Sequence, residues 1–95
     1  MRIVGREMLH AFAASYADVR GWIEAWIAET ERVRWLTPQD IKARFASASF
    51  LPDNVVVLNV KGNRYRLEIK VAYQAGVVIV RHIETHAQYT KRMRK

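Results

Sequence analysis

The sequence predicts an α+β domain in which N-terminal helices pack on one face of a small, mainly antiparallel sheet. Three observations lead to this prediction. Residues 1–46 carry apolar side chains mainly at helical spacing, residues 55–86 have the pattern of strands, and no linker or repeat separates the two parts. Helices followed by consecutive strands are typical of this class, and 95 residues suffice for one domain with one core.

A short opening strand and two helices are predicted for the first third of the chain. Arg6 to Ser15 forms the first helix, with Met8 or Leu9, together with Phe12, facing the core. Asp18 is expected to cap the second helix, because its carboxylate can accept a hydrogen bond from a free backbone N–H. The second helix carries an apolar stripe at helical spacing: Val19, Trp22, Ile23, Trp26, Ile27 and Val33.

Two residues of this stripe, Trp22 and Trp26, allow two interpretations. They lie four residues apart, so they could form a platform on which nucleic-acid bases stack. Their position within the apolar stripe favours packing against the sheet instead. We therefore predict that both belong to the core.

A third, short helix is predicted to begin at Thr37-Pro38. Thr37 is the expected cap and proline suits the first helical position, where no backbone N–H is needed. Ile41 and Phe45 would be its inward pair. A turn over residues 51–54 then leads into the strands.

Three consecutive strands follow, joined by two tight turns. Val55 to Val60 is the first strand, and Gly62-Asn63 suits a two-residue hairpin turn. Arg64 to Tyr73 is the second strand, in which apolar and charged residues alternate. Gln74 to Gly76 fits a three-residue loop with Gly76 in the left-handed conformation, and Val77 to Glu84 is the third strand.

These turns fix how the strands pair, and the pairing collects the charged residues on one side. Arg66 should lie between Asn59 and Glu84, which can hold its side chain, and Glu68 should pair with His82. Arg81 falls on the apolar side, so either it reaches solvent at an edge or a bulge breaks the pattern. We call the charged side the polar face; its predicted members are Asn59, Lys61, Arg64, Arg66, Glu68, Lys70, His82, Glu84 and His86.

The composition indicates the class of partner. Sixteen Lys and Arg against nine Asp and Glu give a net charge of +7, which favours a polyanion, usually nucleic acid, although solubility is an alternative reason. The absence of cysteine excludes disulfides and cysteine-based zinc sites, and it favours a reducing compartment, so a cytoplasmic location is expected. No apolar run approaches the ~20 residues of a membrane span, and no membrane partner is expected.

The residues after the last strand suggest proton-transfer chemistry. Thr85 and Gln88 have the spacing of a capping box, so a helical turn should begin here and bring His86 and Tyr89 to the same side. A His-x-x-Tyr motif alone is more often a surface histidine and an anchoring tyrosine. Beside an arginine-rich face it is the best catalytic candidate, because histidine exchanges protons near neutral pH.

No cofactor and no metal are expected, because the acidic and histidine residues lack the spacing of metal ligands. A site made of His, Tyr, Lys and Arg suits RNA cleavage by the RNA's own 2′-hydroxyl. The substrate then supplies the nucleophile, and the protein moves protons and stabilises the phosphate.

Five segments of the chain resemble HigB toxins of the RelE superfamily, and together they span almost the whole sequence. The last two are the most specific in this order and spacing. The segments are residues 1–6, residues 35–43 with Trp35, Thr37-Pro38 and Asp40 to Ala43, residues 47–50, Asn59 to Leu67, and Thr85 to Tyr89.

The resemblance implies a RelE-like toxin domain over residues 1–90 and cleavage of messenger RNA, typically on the translating ribosome, with inhibition of translation and growth. It implies a cognate antitoxin, HigA-like, with a helix-turn-helix domain. Arg66 matches the arginine that contacts the scissile phosphate, His86 the proton donor or base, and Tyr89 a C-terminal tyrosine. Lys61 and Lys70 match the lysines of the family less closely. Expected RNA-binding residues are Lys61, Arg64, Lys70, Lys91 and Arg92, the last two in a basic, disordered tail over residues 91–95.

Two other functions use the same surface. One is a non-catalytic RNA- or DNA-binding module, and the other is a protein-interaction module for an acidic partner. A pure binder has no need of a proton-transfer group, so His86 and Tyr89 favour the ribonuclease. A protein-interaction module would show no RNA affinity without its partner.

Overall fold

The computed structural model describes residues 1–94. In this part of the chain one short strand is followed by three α-helices, then by four strands and a last α-helix. The predicted α+β class is confirmed. A short 3-10 turn over Ala17–Val19 precedes the second helix. The elements are β1 (Arg2–Val4), α1 (Arg6–Ser15), α2 (Arg20–Arg32), α3 (Pro38–Arg44), β2 (Ser49–Leu51), β3 (Val55–Val60), β4 (Tyr65–Ala72), β5 (Val77–Thr85) and α4 (His86–Met93).

The five strands form one mixed sheet in the order β1-β5-β4-β3-β2. β1 runs parallel to β5, and the other neighbours are antiparallel. The predicted pairs are confirmed: Arg66 lies between Asn59 and Glu84, and Glu68 pairs with His82. β2 is an additional edge strand that the sequence did not indicate, since it has only three residues.

A β-bulge explains the position of Arg81. Glu68 pairs with His82, whereas Ile69 pairs with Val80, so Arg81 is an extra residue between the two pairs. Its Nε lies 3.6 Å from Glu68 Oε2, which places the cation on the polar face. Of the two alternatives that the sequence left open, the bulge is the one that occurs.

The bulge also compensates for a shift at the β4–β5 loop. The last pair before the loop is Ala72 with Val77, so the loop has one residue more than the predicted three. Gly76 has φ 71, the left-handed conformation that was predicted. Near the loop the pairing therefore differs by one residue from the prediction, and the extra residue at Arg81 restores the predicted pairs beyond it.

The first helix begins and ends where the sequence predicts. Leu9 is fully buried, Met8 is exposed and Phe12 is partly buried. The predicted cap of α2 is wrong: Val19 occupies that position without a side-chain hydrogen bond. The carboxylate of Asp18 accepts hydrogen bonds from the Tyr65 hydroxyl (2.7 Å) and Arg64 Nη1 (3.1 Å) instead, and its bond to the hydroxyl raises the pKa of Tyr65.

The tryptophans of α2 lie mainly in the core. Trp26 is 3% exposed, so core packing is confirmed for it and no face is left for a base. Trp22 is partly buried and stacks on Trp26, with ring centroids 6.3 Å apart and planes 8° from parallel. Other stripe residues, Val19, Ile23 and Ile27, are also buried in the core.

The third helix has the predicted start. Thr37, directly before Pro38, is the cap residue and forms a capping box with Asp40. Ile41 is fully buried and Phe45 is partly buried against the core. Among residues 1–94, no helix has both the length and the apolar character needed to cross a bilayer.

Candidate functional site

The polar face is built around alternate residues of β4. Arg66, Glu68 and Lys70 share one side of this strand because successive side chains of a strand point to opposite faces. On the other side Tyr65 packs edge-on against Phe12 of α1, with ring centroids 5.5 Å apart. The sheet thus carries the helix-packed core on one side and these charged residues on the other.

The last helix, α4, starts directly at the end of β5. The Thr85 hydroxyl accepts a hydrogen bond from the Gln88 N–H (3.1 Å), and Gln88 Oε1 accepts one from the Thr85 N–H (2.9 Å). The predicted capping box is therefore confirmed. The His86 N–H donates to the Arg64 carbonyl at 2.9 Å, which ties the first residue of α4 to the sheet.

The helix continues further than the sequence indicates. A basic tail was predicted from residue 91, but α4 runs to Met93, and Lys91 and Arg92 form part of its last turn. The physical reason is a contact distant in sequence, because Arg92 bonds to carboxylates of the sheet. Lys95, the end of the predicted tail, lies outside the described residues.

Arg92 bonds to two glutamates of the polar face. Its Nε and Nη2 donate to Glu84 Oε1 at 2.8 and 2.6 Å, and Nη2 also donates to Glu68 Oε1 at 2.9 Å. Glu68 is only 4% exposed, and Arg81 approaches its second oxygen. The hydrogen bond to Glu84 raises the pKa of Arg92 above its usual value. The charge of this cation is balanced by the two protein carboxylates.

Arg66 keeps most of its hydrogen-bonding capacity. Its Nη1 makes a long hydrogen bond of 3.4 Å to the Tyr65 carbonyl, and its guanidinium carbon lies 5.8 Å from the centroid of the Tyr89 ring. The expectation that Glu84 holds Arg66 is wrong, because Glu84 binds Arg92. Within residues 1–94 Arg66 has no ion pair, so its planar fork is available to an anion.

His86 and Tyr89 both belong to α4 and lie three positions apart. His86 is the exposed first residue of the helix, and Tyr89 is partly buried. The guanidinium carbons of Arg66 and Arg92 lie 5.8 and 5.6 Å from the Tyr89 centroid, within range of a cation–π interaction. The structure thus brings Tyr89 to Arg66 and sets His86 one helical turn before Tyr89, while the role of the three residues in one site stays a prediction.

The remaining predicted RNA-binding residues are exposed cations. Lys61 has a left-handed backbone, with φ 54, in the turn between β3 and β4. Arg64 forms an exposed ion pair with Asp18. Lys70 lies on β4 and Lys91 on α4, both exposed. Their contacts with RNA, and that of Arg92, stay predictions.

Two features of this site were missed by the sequence reasoning. One is the position of Arg81 beside Glu68, and the other is the bonding of Arg92 to Glu68 and Glu84. The bonding of Arg92 could have been predicted from the two glutamates on a face otherwise rich in cations. Acidic groups that become buried need cationic partners. In the part of the chain that the structure describes, no group of three His, Asp or Glu side chains could hold a metal ion.

Comparison with known protein families gives a match. A family model described as HigB toxin, RelE-like toxic component of a toxin-antitoxin system, matches residues 19–92. The matched range covers more than half of the chain and includes β3, β4, β5 and most of α4. The α+β fold with its mixed five-stranded sheet is compatible with a RelE-like fold. A comparison with curated proteins gives no match.

Proposed function

The chain belongs to the family of HigB toxins, the RelE-like toxic components of toxin–antitoxin systems, and from this premise we propose that it is a metal-independent endoribonuclease. Its proposed substrate is messenger RNA on the translating ribosome, in the cytoplasm. Cleavage would inhibit translation and growth. The family implies an antitoxin partner, and we propose that this antitoxin is HigA-like, with a helix-turn-helix domain.

The observation that best supports this proposal is the environment of Arg66. Among residues 1–94 no carboxylate pairs with its guanidinium, which lies on the polar face against Tyr89, a residue of the helix that begins with His86. A free arginine fork fits two oxygens of one phosphate. The Tyr89 phenol lies against it, and the helix that carries this phenol begins with the His86 imidazole; both are groups that can move protons.

The proposed reaction is a transesterification followed by product release. The 2′-hydroxyl loses its proton to a base, its oxygen attacks the adjacent phosphorus, and the bond to the 5′-oxygen breaks. The leaving oxygen takes up a proton, which gives a 2′,3′-cyclic phosphate and a 5′-hydroxyl. We propose that His86 exchanges a proton with one of the two reacting oxygens, that Arg66 stabilises the charged phosphate, and that Tyr89 orients Arg66 and contacts the phosphate.

The exposed cations on and around the polar face support a second candidate, a non-catalytic RNA- or DNA-binding module. Lys61, Arg64, Lys70 and Lys91 are all exposed, and such cations bind phosphates without any chemistry. The two functions differ in one measurable result, because the binding module would retain RNA without shortening it.

Growth arrest is the first expected result. Expression of the chain in a bacterium that lacks the antitoxin should stop growth and deplete intact messenger RNA. A matched culture expressing Arg66→Ala should grow, since that variant lacks the proposed phosphate ligand. Normal growth at confirmed expression of the folded wild-type protein would contradict the toxin activity.

Cleavage is expected to survive removal of metal ions. The nucleophile belongs to the RNA, and among residues 1–94 no cluster of three or more His, Asp or Glu side chains could hold a metal ion. Chelator should leave the rate unchanged when the ribosome, if required, is kept intact with polyamines, and the downstream fragment should carry a 5′-hydroxyl. Fragments with 5′-phosphate ends made directly by the protein would rule out attack by the 2′-hydroxyl.

A further inference from the structure

The last helix is held to the sheet with little apolar packing. None of the residues His86–Met93 is buried, and a helix of eight residues is marginal in water without tertiary support. Its first turn is fixed by the Thr85 capping box and by the hydrogen bond from the His86 N–H to the Arg64 carbonyl. Polar contacts therefore contribute much of what holds its second turn.

Arg92 supplies these contacts. Two donors of its guanidinium bind Glu84, and one of them also binds Glu68, at 2.6 to 2.9 Å. The side chains of Glu68 and Glu84 are only 6% and 14% exposed. Charges this far from water interact more strongly than surface pairs and hold their partners in a defined geometry.

The guanidinium of Arg92 also lies next to Tyr89, a residue of the candidate active site. The guanidinium carbon of Arg92 lies 5.6 Å from the Tyr89 centroid, and that of Arg66 lies 5.8 Å from it. A movement of the last turn of α4 would therefore displace Tyr89 relative to Arg66. Among residues 1–94 the Arg66 side chain makes one hydrogen bond, the long one to the Tyr65 carbonyl, because Glu84 is bound to Arg92.

We propose that Arg92 is a positioning residue: by binding Glu68 and Glu84 it holds α4 on the polar face and sets the geometry of Tyr89 and Arg66. This inference rests on the proposed ribonuclease function. It replaces a direct contact between Arg92 and RNA with an action through the protein. The two roles predict different kinetics, because a positioning residue affects the rate at saturation and a phosphate contact affects binding.

Arg92→Met tests the proposal, because methionine keeps part of the length of the side chain and removes the donors. With ribosomes programmed with a defined messenger RNA, we expect the single-turnover rate at saturation to fall about 10-fold to 10²-fold. The dissociation constant and its salt dependence should change little. Amide hydrogen exchange of α4 should accelerate, while exchange in β3 and β4 stays slow.

Two further variants keep the test decisive if Arg92→Met does not fold. Glu84→Gln removes one carboxylate of the pair and should lower the saturating rate in the same direction, and Arg92→Lys should recover part of the loss by keeping the charge. Arg44→Met is the matched control, since it breaks an arginine–glutamate pair with Glu29 on the α2–α3 side. It should leave both the rate and the exchange of α4 unchanged.

The failures are distinguishable. If Arg92→Met binds programmed ribosomes more weakly, with a shallower salt dependence and an unchanged saturating rate, Arg92 is an RNA contact and the inference is wrong. Unchanged exchange of α4 would also overturn it. If wild type itself does not cleave RNA, the proposed function fails, whereas the exchange measurements still report whether Arg92 holds α4.

Discussion

Replacing His86 with alanine is expected to slow single-turnover RNA cleavage about 10²-fold to 10⁴-fold, because positioned proton transfer typically contributes that much to a rate. The side chain is exposed at the start of α4, and the cap that starts this helix belongs to Thr85 and Gln88. The melting temperature should therefore stay at the wild-type value. Single-turnover cleavage and thermal melting of the same preparations measure both quantities.

The matched control for this change is His10→Ala. His10 is also an exposed histidine on a helix, but it lies on α1, which packs on the side of the sheet opposite Arg66. It should cleave like wild type. If His86→Ala melts and cleaves like wild type, the proton-transfer group of this site is a different residue.

Arg66→Ala should reduce turnover about 10²-fold to 10³-fold, the usual effect of losing one preorganised donor to a developing charge. Arg66→Lys should be nearly as slow, because a lysine ammonium cannot bond two phosphate oxygens in the plane of a fork. The residue is only partly buried and makes a single long hydrogen bond within the described part of the protein. Both variants should therefore fold.

Comparing Lys61→Ala with Arg66→Ala distinguishes the loss of a positive charge from the loss of the Arg66 guanidinium. Lys61 is an exposed cation in the β3–β4 turn, so its removal should weaken RNA binding and make the salt dependence shallower, with little effect on the saturating rate. Equal kinetics for Arg66→Ala and Lys61→Ala would contradict a specific role for Arg66 in stabilising the transition state.

Local spacing in the sequence determined most of the framework of the site. The alternation within β4 put Arg66, Glu68 and Lys70 on one side, since side chains alternate in any extended strand. The Thr85 and Gln88 pair set the start of α4, because the partners of a capping box lie three residues apart. Interactions across a few residues, or across a tight turn, leave periodic patterns that a sequence displays.

The partners of the charged side chains were decided by the tertiary structure alone. Asp18 fits a helix cap by spacing, yet it binds Tyr65, which is 47 positions away. Arg92 lies in a basic segment that has the composition of a tail, yet it binds Glu68, which is 24 positions away. Long-range partners depend on how helices and strands pack, and a charge can be satisfied by any opposite charge that packing brings near. Position in the sequence therefore does not identify which pair will form.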